Sequence, residues 1–142
     1  MNRASVGVLV ARRRALAEHS DPVEWLVRSA RVFVDFCTSD TVRFQLLFQR
    51  TIPGFEPSEE SYAIARENLE ITRASLAAVG ITSPADLDLY TAMLAGLLTQ
   101  QISNEPGGDR WTRQLDRVLG MYLKQVAGIE VRPAVKTKAT RS

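Results

Sequence analysis

The stretch "SDPVEWLVRSARVFVDFC", Ser20 to Cys37, decides the fold. Asp21 is placed to cap a helix whose first position is Pro22 and whose third is Glu24, the arrangement in which a capping carboxylate and a glutamate satisfy each other's backbone N–H groups. At 100° per residue the helix then shows two apolar faces. One holds Val23, Leu26, Val27, Ala30, Phe33, Val34 and Cys37; the other holds Trp25, Val32 and Phe36. Only the strip Glu24, Arg28, Arg31, Asp35 is left for water, where spacings of four allow Glu24 with Arg28 and Arg31 with Asp35 to pair weakly. A helix with apolar residues on two sides must be sandwiched between others, so we expect an all-α bundle.

Working outward, the same signals recur. "TSPAD" repeats the cap, with Ser83, Pro84 and Asp86 in corresponding places. The remaining helices are expected at residues 6–18, 40–49, 58–79 closed by Gly80, and 109–127 after "NEPGGD", giving six with the two capped segments 22–37 and 84–103. Residues 129–142, "IEVRPAVKTKATRS", lack an apolar period and read as a mobile basic tail. "RFQLLFQRTIPGFEPSEESY", Arg43 to Tyr62, reads as a short aromatic helix broken by an elbow at its prolines and glycine.

Composition narrows the function classes. With 142 residues and 45% hydrophobic content the chain has enough apolar mass for one core and one domain. No apolar run reaches the eighteen or so residues of a membrane span, and the basic cluster "ARRR" follows rather than precedes the first apolar residues, so neither an anchor nor a secretory signal is expected and the chain reads as cytoplasmic. One cysteine and one histidine make neither a disulfide nor a convincing metal site, and no nucleophile, base and orienting carboxylate can be grouped, so no enzyme, metal or cofactor is expected. From Ser20 to Gly128 there are ten Lys or Arg against fourteen Asp or Glu, so the body carries no footprint for a phosphate backbone. The runs "ARRR" and "VKTKATRS" read as solvated ends, Cys37 as buried filler and His19 as an exposed linker residue.

Two helices carry further detail. Residues 84–103 place Leu87, Tyr90, Leu94, Leu97 and Leu98 on one side and the small residues Ala92, Gly96, Thr99 and Ser103 on the other, a surface that lets a second helix backbone come close. The final helix sets Trp111, Leu115, Val118, Leu119, Tyr122 and Val126 opposite Arg110, Arg113, Arg117 and Lys124.

The layout of "FVDFCTSDTVRFQLLFQRTIPGFEPSEESY" followed by "LDLYTAMLAGLLTQQISNEPGGDRW" resembles the C-terminal half of TetR-type bacterial transcriptional regulators, over roughly Asp21 to Val126. The resemblance implies a single all-helical effector-binding and dimerisation domain at residues 21–128, with residues 1–20 as a connector helix to a helix-turn-helix domain for which nothing in the first twenty residues provides. DNA contact is then expected only through that missing domain. The last two helices would form the homodimer interface through Ala92, Gly96, Thr99, Ser103, Trp111, Leu115, Val118 and Tyr122. A small apolar or aromatic effector would lie among Trp25, Phe33, Phe36, Phe44, Phe48, Phe55, Tyr62, Met93 and Leu97. Plain core packing explains the same rings without a ligand, and Gln100 and Gln101 are weak candidates for polar contacts to one. The other reading that stands beside this is an interaction protein that only dimerises.

Overall fold

The structure, a computed structural model, describes residues 3–39 and 59–131. Five α-helices and no strand occur among them: α1 (Arg3–Leu16, followed by a 3-10 turn Ala17–His19), α2 (Pro22–Thr38), α3 (Glu59–Ala77), α4 (Pro84–Asn104) and α5 (Leu115–Ala127, preceded by a 3-10 turn Thr112–Gln114). The expected helix at 40–49 and the proline elbow lie outside the described residues. No helix among the described residues is long and apolar enough to cross a membrane.

The helix boundaries follow local chemistry. Asp21 accepts the Glu24 N–H at 2.8 Å while the Glu24 carboxylate accepts the Asp21 N–H at 3.3 Å, completing the capping box. Ser83 caps α4 by accepting the Ala85 N–H at 3.2 Å. Helix α3 ends where Gly80 adopts a left-handed φ of 89°, letting the Ile81 N–H reach the Leu76 carbonyl and the Gly80 N–H the Ala77 carbonyl, at 3.0 and 2.9 Å.

Helix α2 is the central layer, in contact with α1, α3, α4 and α5. Leu26, Ala30, Phe33, Val34 and Cys37 are buried in one core with Leu94 and Leu98 of α4 and Leu115, Leu119 and Leu123 of α5. Burial of Cys37 agrees with its reading as filler, and His19 is exposed in its turn. The polar strip behaves differently from the expected pairing within the helix: Arg31 donates to the Thr112 carbonyl at 3.1 Å and lies 3.6 Å from Asp116, bracing α2 against α5, while Arg28 donates to Ser20 Oγ. The tail boundary also shifts, because Ile129 and Val131 pack on the core and Glu130 pairs with Lys124 at 3.1 Å.

Gln101 is structural. Its side chain is buried, donates to the Glu105 carbonyl and accepts the N–H groups of Trp111 and Thr112 at 2.7 and 3.0 Å. One amide thereby satisfies both sides of the turn between α4 and α5, which uses both acceptor positions of its oxygen and one of its two N–H groups.

Candidate functional site

Helix α1 sets the site. Leu9 and Val10 are buried, and Arg13, three and four residues further on, falls on the same face. Its neighbours Arg12 and Arg14 are exposed, so the basic run is not uniformly solvated as expected: its middle member points into the bundle and is 1% exposed. There the guanidinium donates to Ser29 Oγ of α2 at 2.6 Å, and to Asn68 Oδ1 and Thr72 Oγ1 of α3 at 2.8 and 3.0 Å, with a longer contact of 3.5 Å to the Asn68 carbonyl. The Phe33 ring faces its Cζ at 5.3 Å, within the range of a cation–π contact. Trp25 donates its indole N–H to the Arg13 carbonyl at 2.8 Å, so α2 holds α1 through both backbone and side chain.

The cluster extends along α3. Thr72 Oγ1 donates to the Asn68 carbonyl at 3.1 Å and Ser75 Oγ to the Thr72 carbonyl at 2.9 Å, both hydroxyls being buried. From α4 comes Tyr90, 1% exposed, its ring set edge-on to that of Tyr122 at 5.5 Å. The Tyr90 hydroxyl is buried without a hydrogen-bond partner, one of two such side-chain atoms among the described residues; the other is the Trp111 indole nitrogen. Burial pulls Arg13 down to about 10, and the same desolvation pushes Tyr90 up to about 12, because each group loses water around its charged form.

These two shifts act oppositely on stability. Between its ordinary value of 10.0 and about 12, an unfolded tyrosine has released a proton that native Tyr90 keeps, so this contribution is complete below pH 10 and is lost as pH rises through about 12. Native Arg13 releases its proton near 10 while the unfolded side chain holds it to well above that, so over that interval its contribution rises with pH. Urea melts at pH 9 and pH 11 are expected to show a smaller fall of midpoint in Tyr90→Phe than in the parent; Tyr122, also raised to about 12, acts alike in both. An equal fall would mean that Tyr90 ionises as it does in water.

Of the ring set expected to line a pocket, Phe33 is in the core beside Arg13, and Phe36, Met93 and Leu97 are half-buried against that core. Trp25 is half-buried and committed to α1. Phe44, Phe48 and Phe55, and the side chain of Tyr62, lie outside the described residues. The sequence reading did not include Arg13, Ser29, Asn68, Thr72 or Tyr90 in the site. The available signal was positional: a basic or polar residue occurring in phase with the apolar stripe of its own helix.

The interface set divides in the same way. Ala92, Gly96 and Ser103 are exposed and Thr99 is half-buried, on the side of α4 opposite Tyr90, Leu94 and Leu98. Leu115 and Tyr122, however, are 0% and 6% exposed within the chain's own core, and Tyr122 donates to the Asp86 carbonyl at 2.6 Å. Neither has surface left for a partner. Trp111 is half-buried under the Arg110 guanidinium, 5.0 Å from its ring. The part of α5 that remains accessible holds Val118, half-buried, and Met121, 63% exposed.

A wide groove of about 1460 Å³ lies elsewhere, lined by Leu16, Val23 and Val27 with Arg12, Arg28 and Arg117 among others. It is open to solvent, and Asp21, Glu24, Asp116 and Glu130 on its walls balance its arginines. The Arg13 cluster instead joins α1, α2 and α3 through buried hydrogen bonds, and among the described residues no carboxylate pairs with its charge. Compared with known proteins, the chain matches no family model, no curated protein and no solved structure.

Proposed function

We propose that this chain is the ligand-sensing and dimerising module of a TetR-type transcriptional regulator, in which a small molecule bound among the helices shifts α1 and so, when α1 is joined to a helix-turn-helix domain, releases DNA. The observation that carries the reading is the placement of Arg13. Directional hydrogen bonds tie the connector helix to particular groups of the bundle, in addition to its apolar packing. Here its buried cation is held by α2 and α3 and lies within electrostatic reach of Tyr90 on α4, so a ligand that prefers one arrangement of these groups also prefers one position of α1.

The dimer half of the proposal rests on the outer face of α4. Gly96 has a helical backbone and no atom within 4 Å of the position a Cβ would take, so the chain's own packing does not require glycine there. Glycine in a helix interior costs about 1 kcal/mol against alanine. Leu89, 56% exposed, lines up with Gly96 two turns along, and Ala92 lies between them. A second helix seated on this strip would account for the small side chains and would cover the leucine.

The experiment is a thermal-shift screen of the full chain against small apolar, aromatic and acidic compounds. A ligand present at a hundred times its dissociation constant adds about 2.7 kcal/mol of apparent stability, and at least one class is expected to raise the melting temperature. No response across the library would favour a protein that dimerises and senses nothing.

A further inference from the structure

The last described residues form part of the wall of the wide groove. After α5, Gly128 takes a left-handed φ of 69° and the Ile129 N–H reaches back to the Leu123 carbonyl at 3.1 Å, turning the chain out of the helix. From there the side chains alternate: Ile129 and Val131 pack on the core, while Glu130 faces outward and pairs with Lys124 at 3.1 Å. A period of two is that of an extended chain. Ile129, Glu130 and Val131 all line the groove.

The same period continues in the sequence. Residues 129–136 read "IEVRPAVK", so Pro133 and Val135 fall in phase with Ile129 and Val131, and Arg132 and Lys136 with Glu130. Proline also biases the residue before it, Arg132, away from helical angles and towards extended ones. The groove has a floor that matches this spacing. Val23 and Val27 of α2 are half-buried in it, about 6 Å apart along the helix axis, close to the roughly 6.6 Å between alternate residues of an extended chain. The part of α2 that lines the groove, Pro22 to Val32, rises about 15 Å, and residues 132–135 in extended form would reach about 13 Å beyond Val131. On the α5 wall, Gly120 has no atom within 4 Å of the position a Cβ would take, so a backbone can come close there. The arginines and carboxylates of the groove balance, which suits an occupant that turns an uncharged edge inward and keeps its cations in water.

We propose that the groove is the seat of the chain's own residues 132–136, which continue the extended run of 129–131 along α2 with Pro133 and Val135 turned inward. A segment tethered at the groove wall has an effective concentration in the millimolar range, so modest contacts suffice to seat it in preference to a free peptide. Arg12 and Leu16 of α1 line the same groove, so the seated segment is a strap that joins the end of α5 to α1 over the surface of α2. The strap needs neither an effector nor a second chain, and the inference stands apart from the ligand-sensing reading.

Limited trypsin digestion of the full chain, with mass spectrometry of the first products, reads the seating at Lys136, beside Val135. A synthetic peptide of residues 129–142 gives the rate for the unseated sequence. Cleavage after Lys136 is expected to be about tenfold slower in the chain than in the peptide, the factor that burying one valine side chain is worth, because the protease cuts only the opened segment. Two variants are expected to bring cleavage to the peptide rate while melting as cooperatively as the parent. Val135→Ser, compared with a peptide carrying the same change, removes the inward side chain; Gly120→Leu fills the groove at a place remote in sequence from the cut and adds helix propensity to α5. Cleavage of the parent at the peptide rate would overturn the proposal, as would protection that survives either variant. Protection that disappears on dilution would also overturn it, by showing that the segment sits on a second copy.

Discussion

Replacing Arg13 by alanine is expected to destabilise the chain by about 3–5 kcal/mol, the combined effect of buried acceptors left unpaired and a cavity left in the bundle. The balance is not obvious, because the substitution also removes the cost of keeping a cation out of water. What outweighs that gain is the number of groups left behind. Ser29 Oγ, Asn68 Oδ1 and Thr72 Oγ1 all accept from the one guanidinium, and an orphaned buried acceptor costs about 1–3 kcal/mol. Arg13 is also among the largest fully buried side chains of the described residues, so alanine leaves a void between α1, α2 and α3 and strips Phe33 of its cation. Urea denaturation measures the loss directly. A change below 1 kcal/mol would show that the cluster is solvated and does not tie α1 to the bundle.

The second large effect is expected at Gly96, where the sign separates the chain from its assembly. With open space around its Cβ position, Gly96→Leu should strengthen α4 in the isolated chain by about 0.8 kcal/mol through helix propensity alone. In a dimer packed through that strip the same leucine sits where two backbones approach, and overpacking of this kind costs about 1–3 kcal/mol. Association should therefore weaken at least about fivefold, and the melting temperature of the variant should depend on concentration over a higher range than that of the parent. A variant that is more stable than the parent at every concentration and associates equally well would place the interface elsewhere.

The local parts of this fold were legible because they depend on residues close in sequence. Asp21, Pro22 and Glu24 specify the start of α2 whatever surrounds them, and Gly80 specifies the end of α3 because few other residues tolerate its backbone angle. The two-faced pattern of α2 correctly placed it at the centre. The Arg13 cluster was hidden by two features. A run of three arginines reads as solvent-exposed charge, and only the phase of its middle member relative to Leu9 and Val10 marks it as buried. Its partners Asn68 and Thr72 are 55 and 59 residues away, and no local pattern links such distant polar groups. For α5 the difficulty was different: an apolar stripe looks the same whether it packs on its own chain or on another, and Leu115, Leu119 and Tyr122 pack on their own. Gln101 showed the converse, an amide on a helix that serves the adjacent turn rather than a ligand.

Both functional readings, the sensing module and the protein that only dimerises, place a second chain against the outer face of α4, so its presence is the central claim. Sedimentation equilibrium of the full chain at micromolar concentration tests it most directly. The account predicts a species of twice the 15.8 kDa chain mass, shifted towards the single chain by Gly96→Leu. A parent protein that sediments as a stable monomer throughout that range would contradict it.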